Sequence, residues 1–116
     1  MITTEKLRQY GVNVDEGLQR CVNNEQLYLT LVNRFLDQNT FPDLKAAILD
    51  HDLEKAFHIA HSLKGVIGNL SLSPLYDVIY QMTELLRNRT EMDYSDYVQR
   101  YEMSYSMLAA LRQKIT

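Results

Sequence analysis

The sequence predicts an all-α fold, an up-down-up-down antiparallel four-helix bundle with short N-terminal helices. Apolar residues recur at helical spacing along most of the chain, and no window alternates with period two over a useful length, so no sheet is expected. The gaps between the periodic segments are short, which favours antiparallel neighbours. One domain of 116 residues is expected, with short helices over 1–22 and the bundle over 24–114.

Each element carries a start or stop signal. Thr3 or Thr4 can cap a short helix that stops at Tyr10, with Gly11 just beyond it. Asn13 followed by Glu16 is a capping-box pattern for a second short helix, about 14–21. Asn23 followed by Gln26 opens the first main helix, about 24–39, with Leu27, Leu31, Val32, Phe35 and Leu36 near helical period. Phe41-Pro42 ends or bends it, and a short linking helix follows from Leu44 to Leu49. Asp52 caps the second main helix, about 52–70. Ser73-Pro74 starts the third, about 73–89, with Ser at the cap and Pro at the first helical position. Asp93 caps the last, about 94–114.

Composition excludes several functions. Apolar residues make up 46% of the chain and charged residues 23%, which allows both a core and a wetted surface. The formal charge is −3, and no basic stripe is present to neutralise phosphates, so nucleic acid is not the expected partner. No stretch approaches the roughly 18 apolar residues of a membrane span, and MITTEKLRQY lacks the apolar core of a signal peptide. Cys21 is the one cysteine, which rules out a disulfide framework and fits a reducing, cytoplasmic compartment. It reads as a buried apolar residue. The start at Met1 and the absence of a linker favour a free-standing protein, and a monomer is expected.

The informative stretch is AHSLKGVIGNL, residues 60–70, with two glycines inside a helix. Each costs roughly 1 kcal/mol relative to alanine. At about 100° per residue, Leu53, Ala56, Ala60, Leu63, Ile67 and Leu70 share the core side. His61, Lys64, Gly65 and Gly68 form a second stripe beside it, and Phe57 lies between the two. The two glycines leave the helix surface bare beyond the His61 ring. A nitrogen nucleophile, a mobile cation and an open groove suit a phosphoryl group, whose oxygens a cation offsets. The plain alternatives are a boundary histidine, a solvated lysine, and glycines that allow close helix packing.

These residues also form a sequence signature. AHSLKGVIGNL resembles the His-x-Leu-Lys-Gly motif of the histidine phosphotransfer (HPt) domain family. GVNVDEGLQRCVNNEQLYLTLVNRFL and DHDLEKAFHIAHSLKG resemble the segments that precede it, and the likeness covers about residues 11–89. The resemblance implies a four-helix bundle that takes a phosphoryl group from an aspartate of one receiver domain and passes it to another. It implies His61 as the phospho-acceptor, Lys64 as the residue that steadies the phosphoryl oxygens, and Gly65 and Gly68 as the small residues that keep the ring accessible. It also implies no ATP-dependent kinase activity, no bound cofactor, and Mg²⁺ supplied by the receiver. The partners would be response-regulator receivers or a hybrid sensor kinase. The docking face would include Phe57 and apolar surface from the helices at 52–70 and 24–39. Two positions depart from the family pattern. Ser71-Leu72 stands where Gly-Ala is common, and Thr83 aligns with a Gln that some members aim at the phosphohistidine.

A helical adaptor that docks a receiver or kinase without carrying phosphate is the alternative reading. Other constellations are weaker. His51, His58, His61 and Glu54 lack a carboxylate-rich cage, so no metal is expected. Tyr94, Tyr97, Tyr101 and Tyr105 read as a half-buried face of the last helix with wet phenol tips. Arg87 and Arg89 suit the negative end of the helix that carries them.

Overall fold

The computed structural model describes residues 1–112, in which seven helices occur: α1 (Thr4–Tyr10), α2 (Val14–Arg20), α3 (Glu25–Asp37), α4 (Phe41–Leu49), α5 (Leu53–Asn69), α6 (Ser73–Arg87) and α7 (Ser95–Ala110). The fold is an all-α bundle, and among the described residues no strand is present. No described helix is long and apolar enough to cross a membrane.

Several caps are those expected. The Thr3 side chain accepts from the Lys6 amide, and Gly11 closes α1 at φ 102°. The Asn13 carbonyl oxygen accepts from the Glu16 amide, while its NH₂ donates to the Glu16 carboxylate. Asp52 accepts from the Lys55 amide at the head of α5.

Four starts differ from expectation. Asn24, not Asn23, caps α3 by accepting from Leu27, because Asn23 is used at φ 58° to turn the chain out of α2. Phe41-Pro42 opens α4 rather than bending α3, which has already ended at Asp37; proline fits a first turn, where its missing N–H has no partner to lose. Ser73 is the first residue of α6 with Leu72 at the cap, and its hydroxyl donates back to the Ser71 carbonyl instead of capping. Tyr94 is the cap residue of α7, although the Asp93 carboxylate still accepts from the Ser95 amide. That helix closes at Ala110, and the expected end at 114 lies outside the described residues.

The helix ends share one device. After α4, α5 and α6 the chain turns through a left-handed residue, His51 at φ 56°, Ser71 at φ 55° and Arg89 at φ 53°. At α5, the Ser71 amide donates to Gly68 and the Leu72 amide to Ile67, the paired bonds of a Schellman turn. A non-glycine residue held there costs roughly 1–2 kcal/mol. The Ser71 hydroxyl is also buried without a hydrogen-bond partner. Ser71→Gly is therefore expected to stabilise the protein by about 1 kcal/mol, read as a higher urea midpoint at unchanged slope. An unchanged or lower midpoint contradicts this account of the turn.

Helix α5 is central: it buries Leu53, Ala56, Ala60, Leu63 and Ile67 and packs against α4 on one side and α6 on the other. Helix α7 packs on α6 and on α1. The N-terminal segment covers the α5–α6 turn. Arg20 donates to the Gly68 carbonyl at 2.7 Å, the Tyr28 hydroxyl to the Leu70 carbonyl at 2.8 Å, and the Asn13 amide to the Ser71 carbonyl. Tyr28 reaches that depth because Gly17 has no side chain; a Cβ there would lie 2.5 Å from the Tyr28 ring. Burial pushes the Tyr28 phenol up to about 12, so it remains a donor.

The tyrosine face of α7 is less wet than the sequence suggests. Tyr101 is fully buried and stacks on Phe41 with centroids 3.8 Å apart. The Tyr105 hydroxyl donates to the Leu36 carbonyl and that of Tyr94 to the Thr90 carbonyl. Phenol tips expected in water instead satisfy carbonyls at the end of α3 and in the loop after α6.

Candidate functional site on helix α5

The site is built on the face of α5 that meets α6. The two helices run antiparallel in a fixed register. Gly68 faces Tyr76, Lys64 faces Tyr80, and Phe57 faces Arg87, so the chain falls along one helix as it rises along the other. His61 lies midway along this ladder and is exposed. Helix continuity through residues 53–69 fixes the backbone beneath its ring.

The two glycines have different surroundings. A Cβ on Gly65 would meet nothing within 4 Å, so the helix beyond His61 is open there. A Cβ on Gly68 would meet the Tyr76 ring at 3.1 Å. Gly68 is a packing glycine that lets α6 approach, and the clearance expected of both falls to Gly65 alone.

Lys64 is half-buried, and its ammonium lies 5.4 Å from the centre of the Tyr80 ring. That cation–π contact is modest at an exposed site, about 0.5–1 kcal/mol. Lys64 follows His61 by three residues on α5, about one turn.

Thr83 does not support the ring through its hydroxyl proton. The residue is fully buried, and that hydroxyl donates to the Ile79 carbonyl of its own helix at 2.6 Å. A buried hydroxyl takes the nearest acceptor, and one turn back along a helix always offers one.

Phe57, expected on the docking face, is half-buried. Its ring stacks on His61 with centroids 5.8 Å apart and planes 25° from parallel. The guanidinium carbons of Arg87 and Arg89 each lie 5.0 Å from its centre, and His58 lies 5.5 Å away. In the sequence both arginines fit the helix dipole equally well. Their place over Phe57 depends on the α5–α6 register, and the short Leu70–Leu72 turn is the one signal in the sequence that bears on it.

Apolar surface beside the site lies between α3 and α5. A groove of about 470 Å³ is lined by Leu31, Phe35, Leu63, Val66 and Leu70, with Arg34 at its side. It draws on the two helices expected to supply a docking face. His51 lies 3.7 Å from Glu91, away from this face. No group of three or more His, Cys, Asp or Glu that could hold a metal ion occurs among the described residues.

The family model of the Hpt domain matches residues 31–114, well over half of the chain. The chain belongs to the Hpt domain family. The match takes in α5 and His61 and runs on through the last helix, which the sequence resemblance had left out. It begins inside α3, so the opening segment before Leu31 is not part of it. No curated protein and no solved structure matches the chain. Membership brings a phosphotransfer-related role in two-component signalling, in which Hpt domains meet receiver and kinase partners.

Proposed function

We propose that this Hpt domain relays a phosphoryl group between aspartates of receiver domains through a phosphohistidine at His61. One observation carries the reading: an exposed imidazole in the middle of a rigid helix, with bare helix one turn further on at Gly65. A ring nitrogen lone pair attacks the phosphorus of a receiver's phosphoaspartate. The N–P bond forms, the P–O bond to the aspartate breaks, and the carboxylate leaves with the electron pair. Reversal of this step on a second receiver completes the relay.

The transition state of such a transfer is loose, so positioning and charge neutralisation carry most of the catalysis. Lys64 offsets charge on the phosphoryl oxygens. The receiver supplies Mg²⁺ and docks over the α3–α5 groove. Burial of the exposed Val66 there brings its aspartate to the Gly65 side of the ring.

The test is incubation with a phosphorylated receiver. Labelled phosphate is expected on the wild type and absent from His61→Gln. Equal labelling of the two contradicts the proposal. Receiver binding that His61→Gln leaves unchanged, with no acid-labile phosphate formed on the wild type, would make the domain an adaptor instead.

A further inference from the structure

We propose that Phe57, Arg87 and Arg89 form a stack that orients the His61 ring, making them positioning residues for the transfer. The inference rests on the reading of His61 as phosphoryl acceptor. An exposed histidine on a helix ordinarily turns about two side-chain bonds, and the second has a broad, roughly two-fold preference. Here the ring has a near-parallel aromatic neighbour. Phe57 stands one turn earlier on α5, with its ring 5.8 Å from the imidazole and 25° from parallel.

Phe57 is itself held from the far helix. Arg87 and Arg89 each place a guanidinium 5.0 Å from its centre, a distance at which the charge is attracted to the ring. Each arginine has a further contact on its own segment. Arg89, in the left-handed turn that ends α6, donates to the Leu86 and Arg87 carbonyls. Arg87 pairs with Glu84 on its own helix at 3.5 Å. The line of contact runs from the end of α6 through two guanidinium groups to Phe57, and from Phe57 to His61.

The result is a one-sided ring. Phe57 closes the side one turn before His61, and Gly65 leaves the side one turn after it bare. The nitrogen lone pair lies in the plane of the imidazole, so holding that plane sets the direction along which it meets phosphorus. A nucleophile held near its attack geometry gains rate without any new contact to the phosphate.

Two readouts test this. One is the ring-current shift of the His61 ring protons by NMR, taken on the unphosphorylated protein. The other is the rate of transfer from a phosphorylated receiver. Phe57→Leu keeps apolar bulk and removes the flat ring. It is expected to abolish the upfield shift and to slow the maximal transfer rate about 10- to 100-fold, with receiver affinity unchanged. Phe57→Tyr restores the flat ring and should hold both readouts within about twofold of wild type. Joint Arg87→Met and Arg89→Met should reduce the shift and the rate together.

Three results would overturn the proposal: wild-type rates in Phe57→Leu, a His61 shift that does not respond to Phe57→Leu, or a rate loss in the arginine variant with the shift unchanged. The last would mean that the arginines touch the phosphoryl group directly. A wild type that accepts no phosphate would remove the acceptor reading, and the NMR shifts would still decide whether the stack orients the ring.

Discussion

Gly65→Leu is expected to lower the rate of transfer to His61 by roughly 100-fold while the helix stands. A Cβ at this position meets nothing within 4 Å, so the new side chain enters open space. Leucine is also a better helix former than glycine by about 0.8 kcal/mol, and the melting temperature should hold or rise. The cost falls on access. Phe57 already covers the ring from one side, and a leucine one turn later covers the other. Gly68→Leu supplies the contrast: its side chain drives into Tyr76, and overpacking of this kind costs about 1–3 kcal/mol in urea unfolding. Normal transfer in Gly65→Leu would refute the clearance argument, whatever its stability.

Tyr101→Ala is expected to be the most damaging of these changes to the fold, with a loss of about 3–5 kcal/mol in urea unfolding. Tyr101 is fully buried, stacks on Phe41 at 3.8 Å, and continues into Tyr105 at 6.4 Å. The ring ties α7 to the start of α4. Burial pushes its phenol well above the ordinary tyrosine range, so the neutral form persists. The hydroxyl's own contact, with Asn39, is long at 3.4 Å. Tyr101→Phe should therefore cost only about 1 kcal/mol. A loss below about 1 kcal/mol in Tyr101→Ala would show that this aromatic column is not what holds α7 in place.

The parts of the molecule legible in the sequence are those that local chemistry decides. Thr3, Gly11, Asn13 and Asp52 announce helix ends because a cap needs only its own few residues. The stripe of His61, Lys64 and Gly65 was legible for the same reason, since helical spacing alone puts them on one face. Errors arose where two local signals competed. Asn23 and Asn24 both precede a helix, and the left-handed turn claimed the first. At Ser73 the buried Leu72 and the turn at Ser71 moved the helix start by one residue.

What stayed hidden needed a partner helix. Gly65 and Gly68 are alike in sequence and differ because Tyr76 of α6 faces only one of them. Thr83 aligned with a site residue, yet its hydroxyl went to Ile79. Arg87 and Arg89 fitted the helix dipole and also reached across to Phe57. Only the α5–α6 register distinguishes these roles, and no spacing within one helix encodes it.

The chain has three histidines, and the account commits to one of them. The most direct measurement is phosphopeptide mapping by mass spectrometry, kept at neutral to alkaline pH after incubation with a phosphorylated receiver. The account predicts phosphate on His61 and none on His51 or His58. Phosphate on either of the other two, with His61 unmodified, would contradict it.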